Sequence, residues 1–265
     1  MIGKIHNEDC LETMKRMPDG FIDLVVTSPP YDGLRDYKGY SFDFESIAQE
    51  LYRIIKPGGV LVWVVGDSVV NNSESGNSFV QALRFKDIGF NIHDTMIYEK
   101  SGSPMPDKYR YLQNFEYMFV LSKGLPKTVN FIKDRINRFP ERWGKGRKVR
   151  EKNGKFTPRK NITPKKMGRR FNIWRYVQGG GYSSSDPIAY QHPAIFPEKL
   201  ARDHIYTWSN KDDLVYDPFG GSGTTVKMAH LMDRKWLMSE ISHEYCKVSK
   251  ERLQPYLKQQ KLNLE

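Results

Sequence analysis

The stretch that most constrains this chain is Asp217-Pro218-Phe219-Gly220-Gly221-Ser222-Gly223-Thr224-Thr225. A short apolar run, Leu214-Val215-Tyr216, leads into it, and a helix is predicted from Thr224 to Met232. Trp236 to Ile241 reads as the next strand, with Glu240 near its end, 19 positions after Gly221. Strand, glycine turn, helix and strand in this order make a βαβ unit and therefore a parallel sheet. The glycines let the backbone turn tightly and approach a ligand, while the helix N-terminus presents free N–H groups to it. An acidic residue about 20 positions further on is placed to hold ribose hydroxyls, so the unit reads as a nucleoside site. A lone glycine turn would be explained by helix capping; the flanking strand and helix together with Glu240 favour the ligand. No Gly-Lys-[Ser/Thr] is present, which argues against a Walker-type phosphate loop. Asp217 would repel a pyrophosphate but suits the cationic end of S-adenosylmethionine.

A second stretch lies near the start. Ile22-Asp23-Leu24-Val25-Val26 is β-branched and of strand length, and Thr27-Ser28-Pro29-Pro30-Tyr31 closes it with a proline pair that no central strand continues through. A hydroxyl, two rigid prolines and an aromatic ring thus sit at the C-terminal lip of a strand, where open α/β sheets bind ligands. Prolines carry no N–H, so this turn offers carbonyl acceptors without neighbouring donors. It could grip an exocyclic amino group and stack a base on the ring. A plain strand-ending turn is the competing reading.

Between these two stretches, helices are predicted near 45–55 and 78–88, and strands near 60–65, 91–98 and 116–121. Further helices are predicted near 198–208 and up to about residue 257. His204, on the apolar side of its helix, reads as a core or boundary residue rather than a metal ligand.

Charge is unevenly placed. The chain of 265 residues carries +11, yet the span 127–175 holds nine Lys and nine Arg against three acidic residues, +15, leaving −4 elsewhere. A basic block in a mildly acidic body is a footprint for a polyanion, with a solvated basic loop as the alternative. Phe131, Phe139, Trp143, Phe156, Phe171, Trp174 and Tyr176 interleave with these charges and predict a modest core for a small lobe, which Gly179-Gly180-Gly181 and Ser183-Ser184-Ser185 end like a hinge. Cys10 and Cys246 have neither metal-ligand spacing nor a disulfide framework, so no metal site is expected. Nothing near Met1 resembles a signal peptide and no apolar run approaches the roughly 20 residues of a membrane span, so a cytoplasmic protein without membrane attachment is expected.

Together, Thr27-Ser28-Pro29-Pro30-Tyr31 and Asp217-Pro218-Phe219-Gly220-Gly221-Ser222-Gly223-Thr224-Thr225 resemble the catalytic and cofactor motifs of the DNA amino-methyltransferases, which act on adenine N6 or cytosine N4. The order here, catalytic motif, basic block, cofactor motif, resembles the circularly permuted beta group. The resemblance implies a Rossmann-like α/β methyltransferase fold with a seven-stranded, mostly parallel sheet. Residues 1–124 would form its catalytic half, 125–190 a basic target-recognition insertion, and 191–265 the half that binds S-adenosyl-L-methionine. It further implies Ser28, Pro29, Pro30 and Tyr31 as the catalytic set. Asp9 and Cys10 would lie by the cofactor adenine, and His192, Pro193 and Phe196 by its methionine part. Asp217, Phe219, Gly221, Ser222, Gly223, Thr224 and Thr225 would form the cofactor loop, with Glu240 on the ribose and Arg252 on the helix that follows. Within the insertion, Lys145, Arg147, Lys148, Arg150, Lys165, Lys166, Arg169 and Arg170 are the expected DNA contacts. The partner expected is double-stranded DNA; a cognate restriction endonuclease and the oligomeric state stay open.

An exocyclic amino nitrogen is a weak nucleophile because its lone pair is delocalised into the ring. Two acceptors on its N–H bonds, Ser28 Oγ and the Pro29 carbonyl, would turn that lone pair toward the methyl donor, so positioning and fixed dipoles carry the reaction. The base must leave the duplex first. Cytosine C5 chemistry does not fit, since the family performing it places cysteine directly after proline, whereas Asp9 precedes Cys10 and Tyr245 precedes Cys246. A protein-glutamine methyltransferase, a nicotinamide oxidoreductase and a non-catalytic Rossmann-like nucleic-acid-binding protein each account for only part of these features. Ser28, rather than the Asp usual in adenine enzymes of the family, leans the reading to cytosine N4, with adenine N6 as the alternative.

Overall fold

The computed structural model describes residues 1–30, 42–102, 108–138, 148–158 and 165–258. It divides into a large unit, Met1–Asn130 with Asn172–Glu265, and a small one, Phe131–Phe171.

The large unit is built on eight strands: β1 (Ile5–His6), β2 (Ile22–Thr27), β3 (Ile55–Val65), β4 (Asn91–Ser101), β5 (Phe115–Ser122), β6 (Ile173–Val177), β7 (Leu214–Asp217) and β8 (Lys235–Ser239). They lie in the order β1-β8-β7-β2-β3-β5-β4-β6. Only β5 runs against the others: its pairings with β3 and β4 are antiparallel and every other pairing in this sheet is parallel. The helices are α1 (Cys10–Lys15), α2 (Phe44–Ile54), α3 (Asn77–Ile88), α4 (Glu198–Trp208), α5 (Thr224–Leu231) and α6 (His243–Lys258). Among the described residues, none of them is long and apolar enough to cross a membrane.

The strands read as continuous apolar runs because both sheet faces are covered. Side chains alternate along a strand, and Leu61, Trp63 and Val65 of β3 join Leu214 and Tyr216 of β7 and the apolar residues of α1 to α3 in one core. Val60, Val62 and Val64 are equally buried but stand outside that cluster, on the other face. There α4 packs on α5 and on β2, and α5 on α6. His204 of α4 is fully buried, with its ring 4.6 Å from that of Trp174 and its Nδ1 accepting from Trp208 Nε1 at 3.3 Å, so it is a core histidine.

Two sequence expectations change. The sheet has eight strands rather than seven, because Ile173–Val177 pairs in parallel with Ile97–Ser101 of β4. Its Trp174 and Tyr176 are buried under the large sheet, between exposed Ile173, Arg175 and Val177, so they are no part of a separate basic lobe. In the small unit the expected aromatic core is absent among the described residues: Phe131, Phe156 and Phe171 are all exposed, while Phe139 and Trp143 lie outside the described residues. Guanidinium groups cover two of those rings instead, Arg169 at 3.8 Å over Phe131 and Arg135 at 4.5 Å over Phe171. The unit is held by two short antiparallel pairs, Lys148–Arg150 with Phe156–Pro158 and Arg135–Ile136 with Met167–Gly168.

Candidate active site

The connections from β2 and from β7 leave in opposite directions across the sheet, to β3 on one side and β8 on the other. The carboxyl ends of these two adjacent strands therefore flank a topological switch point, where an open α/β sheet leaves a crevice. Residues 28–30 follow one strand, and the glycine loop that begins at Asp217 leaves the other. They are tied at the base: Thr27 Oγ1 donates to Asp217 Oδ1 at 2.7 Å, both side chains being buried. A cavity of about 480 Å³ opens above them.

Most of the expected site residues meet around it. Ser28, Pro29 and Pro30 line it from β2, and Asp217, Phe219, Gly221, Ser222 and Thr224 from the glycine loop. Asp9 and Cys10 are brought in because β1 pairs with Met238 and Ser239 of β8, and Asn7 Nδ2 donates to the Glu240 carbonyl at 3.0 Å. His192, Phe196 and Glu240 complete the set. Tyr31 lies outside the described residues, as do Lys145 and Arg147. Pro193, Gly223 and Thr225 do not line the cavity. Gly223 instead caps α5 with φ +78°, and the buried Thr225 hydroxyl donates to the Val26 carbonyl at 3.0 Å, fastening the helix to β2.

The loop is shaped by its neighbours. A Cβ on Gly220 would stand 2.1 Å from Met238 Cε, and one on Gly221 would stand 2.9 Å from His192 Nε2 in a backbone already at φ +49°. Glu240 accepts from Gly221 N through Oε2 and from Ser242 N through Oε1, both at 2.9 Å. Each carboxylate oxygen has a second lone pair, so the group can hold the loop and still accept from a ligand hydroxyl. Burial raises its pKa, against the pull of those backbone donors. Arg252 of α6, which the sequence singled out only by resemblance, fastens the loop from below. Its Nη1 donates to the Ser222 carbonyl at 2.8 Å and to Thr224 Oγ1 at 3.0 Å.

Burial pushes the Asp217 carboxyl from 3.8 up to about 6, and its hydrogen bonds from Thr27 and the Phe219 N–H offset this only in part. The folded chain thus holds this proton more tightly than the unfolded one. That contribution to stability is complete below pH 3.8 and disappears as pH rises through about 6. Between about pH 4 and 7 the parent should lose about 2 kcal/mol relative to Asp217→Asn. Urea unfolding of both across that range checks it; parallel curves would place the titration elsewhere.

Both thiols are buried and free. Burial raises that of Cys10, which lines the cavity, far above the ordinary range and that of Cys246 to about 12.

The sequence reading missed a set of lining residues: Tyr98 and Lys100 of β4, Glu116 of β5, and Gln178 just after β6. No local motif marks them, since Gln178 reaches the Tyr98 hydroxyl only after β6 has paired with β4.

The family model for DNA methylases with N6 and N4 amino specificity matches residues 22–251. The orphan methyltransferase M.BamHII of Bacillus amyloliquefaciens is 58% identical over 245 residues, spanning 90% of this chain and 91% of that protein. Among solved structures, the cytosine-N4-specific PvuII DNA methyltransferase superposes with a TM-score of 0.70 at 24% identity, covering 95% of this chain and 86% of that one. A putative DNA modification methylase of Thermus thermophilus, solved in complex with S-adenosyl-L-methionine, gives 0.65 at 23% identity, covering 96% and 94%. Two motifs far apart in the chain close one crevice, and the matched region spans both of them: this chain belongs to the N6/N4 DNA methylase family.

Proposed function

We propose that this chain transfers a methyl group from S-adenosyl-L-methionine to the exocyclic amino group of a base flipped out of DNA, and that the base is cytosine, methylated at N4. The observation that carries the reading is the cavity that Ser28-Pro29-Pro30, the glycine loop and Glu240 line together. Its volume of about 480 Å³ falls in the usual range for small-molecule sites. The residues present suit the cofactor: a half-buried carboxylate for ribose hydroxyls, glycines where a Cβ would collide, and a buried carboxyl, Asp217, that would suit a positive charge. When bound, the cofactor supplies an electrophilic methyl on a sulfonium.

The chain's part is to aim the nucleophile. Ser28 Oγ and the Pro29 carbonyl accept the two amino hydrogens and draw the nitrogen lone pair out of conjugation with the ring. Transfer would form the nitrogen–methyl bond as the sulfur–methyl bond breaks, with the electron pair left on sulfur and one amino proton passing to solvent. Tyr31 is the proposed stacking partner of the base. Ser28 in place of a carboxylate supports cytosine; adenine N6 is the second reading, since the same turn can serve either amino group. Digestion of methylated DNA and mass spectrometry of the nucleosides tests both. N6-methyladenine without N4-methylcytosine would overturn the base choice, and transfer to neither base the whole reading.

If Glu240 holds the ribose, Glu240→Ala should weaken cofactor binding by roughly 1.5–3 kcal/mol, the cost of a lost charge-assisted hydrogen bond. Unchanged affinity in calorimetry removes it from the cofactor.

The small basic unit is our proposed target-recognition surface. Lys148, Arg150, Lys165, Lys166 and Arg169 are exposed on it, whereas Arg170 is drawn inward by its ion pair with Asp134, whose carboxyl that guanidinium holds below its ordinary pKa. Replacing Lys148, Arg150, Lys165 and Lys166 by Gln should reduce the slope of log affinity against log salt by ~0.9 for each phosphate no longer neutralised. An unaltered slope in filter binding or anisotropy would place the DNA surface elsewhere. Double-stranded DNA is the proposed partner. The relative M.BamHII is itself named an orphan, and a cognate endonuclease is not needed for this reading.

A further inference from the structure

Four polar side chains line the cavity without a role in the reaction as described. Lys100 Nζ lies 2.6 Å from Glu116 Oε1, the two side chains being 26% and 14% exposed, and Gln178 Nε2 donates to Tyr98 Oη at 2.6 Å. Their place follows from strand order. The glycine loop and Glu240 hang from β7 and β8, the Ser28 turn from β2, and these four residues from β5, β4 and β6. Along the sheet edge the order is cofactor loop, catalytic turn, polar quartet. The methyl donor and the amino group must approach the turn from opposite sides, so the base belongs on the side of the quartet. From β2 to β4 there are three strand spacings, roughly 14 Å, a gap that a base and a lysine side chain bridge together.

We propose that the Lys100–Glu116 and Tyr98–Gln178 pairs are the receptor for the ring edge of the flipped base, with Lys100 donating to the ring nitrogen beside the amino group. This rests on the methyl-transfer reading and adds residues to it. Cytosine N3 and adenine N1 are acceptors next to the amino group, whereas thymine and guanine carry an N–H at that position and a carbonyl beside it. An ammonium has three N–H donors and no acceptor, so it pairs with the ring nitrogen of the first two bases but not with the ring N–H of the other two, whose carbonyl would in turn face the Ser28 and Pro29 acceptors in place of an amino group. Glu116 takes one of those donors, which fixes the head group and offsets the cost of desolvating it. The Tyr98–Gln178 pair sets the second wall, and the Tyr98 ring is held by buried Tyr176, 5.9 Å away. Lys100 is thereby a specificity-determining residue on the substrate, and Glu116 a positioning residue acting through it.

The test uses the full chain and a duplex carrying its site, located by modified-base sequencing. Lys100→Met should slow single-turnover transfer roughly 10- to 150-fold, as expected for a lost charge-assisted hydrogen bond. It should weaken binding of the intact duplex while leaving the cofactor and a duplex abasic at the target bound as in the parent. Lys100→Arg should recover part of the rate. Glu116→Gln, which keeps the shape, should show a smaller loss of the same pattern and serves if Lys100→Met does not fold. Transfer by Lys100→Met at the parental rate, or equal weakening of the abasic duplex or the cofactor, overturns the proposal. A parent that labels no DNA overturns the methyl-transfer reading and this one with it; a parent that labels DNA beside an unaffected Lys100→Met overturns this one alone.

Discussion

Ser28→Ala should cut single-turnover methyl transfer by roughly 10²–10³-fold, the usual cost of removing one preorganised polar partner from a reacting centre. Ser28 stands at the lip of β2 in the shared cavity, while Glu240 and the glycine loop reach that cavity from β7 and β8. The loss should therefore fall on the chemical step, with cofactor affinity held to within a few-fold in calorimetry. Alanine keeps the backbone and the Pro29 carbonyl, so one of the two proposed acceptors would remain and some transfer should survive. A variant that methylates at the parental rate would show that the hydroxyl does not touch the amino group. A variant with normal transfer and weakened cofactor binding would move Ser28 to the cofactor side.

The second large effect is on stability. Arg252 is wholly buried in its side chain and donates to Asp186 Oδ2 at 2.8 Å, Glu198 Oε1 at 2.7 Å and the Ser222 carbonyl at 2.8 Å. Lys227, nearly as buried, reaches the same two carboxylates at 2.7 Å. Burial alone would raise Asp186 and Glu198, yet Lys227 and Arg252, with the Tyr256 hydroxyl on Asp186 and the Ser184 hydroxyl on Glu198, hold both below the ordinary carboxylate range. Arg252→Met leaves two half-buried carboxylates facing one buried ammonium, and breaking a buried ion pair costs up to about 3–5 kcal/mol. Urea unfolding should show that loss. The variant should also loosen the glycine loop, because Ser222 and Thr224 lose their common donor. A change below about 1 kcal/mol would mean that the carboxylates are protonated or solvated without Arg252.

How much of this was written locally differs from element to element. β2 and β3 were legible because both faces of the sheet are covered, which leaves uninterrupted β-branched runs. The glycine loop was legible because a tight turn with φ of +49° at Gly221 and +78° at Gly223 restricts residue choice within a few positions. β6 was not. Arg175 on its exposed face makes Ile173–Val177 read as part of the basic block, and only its pairing with β4 puts Trp174 and Tyr176 in the core. The aromatic residues of the small unit failed in the other direction, since composition does not say whether a ring is buried or lies under a guanidinium.

The sequence by itself determined the α/β class, the two motif-bearing turns and the acidic residue on the strand after the glycine loop, because each depends on interactions within a few residues or one βαβ unit. Tertiary structure alone decided that Thr27 and Asp217, 190 positions apart, share a hydrogen bond. It also decided that Arg252 braces the loop from α6, and that Lys100, Glu116, Tyr98 and Gln178 face the same cavity as Ser28. The physical reason is strand order: sequence periodicity reports which face of a strand is buried, but which strands stand side by side is settled only when the sheet assembles.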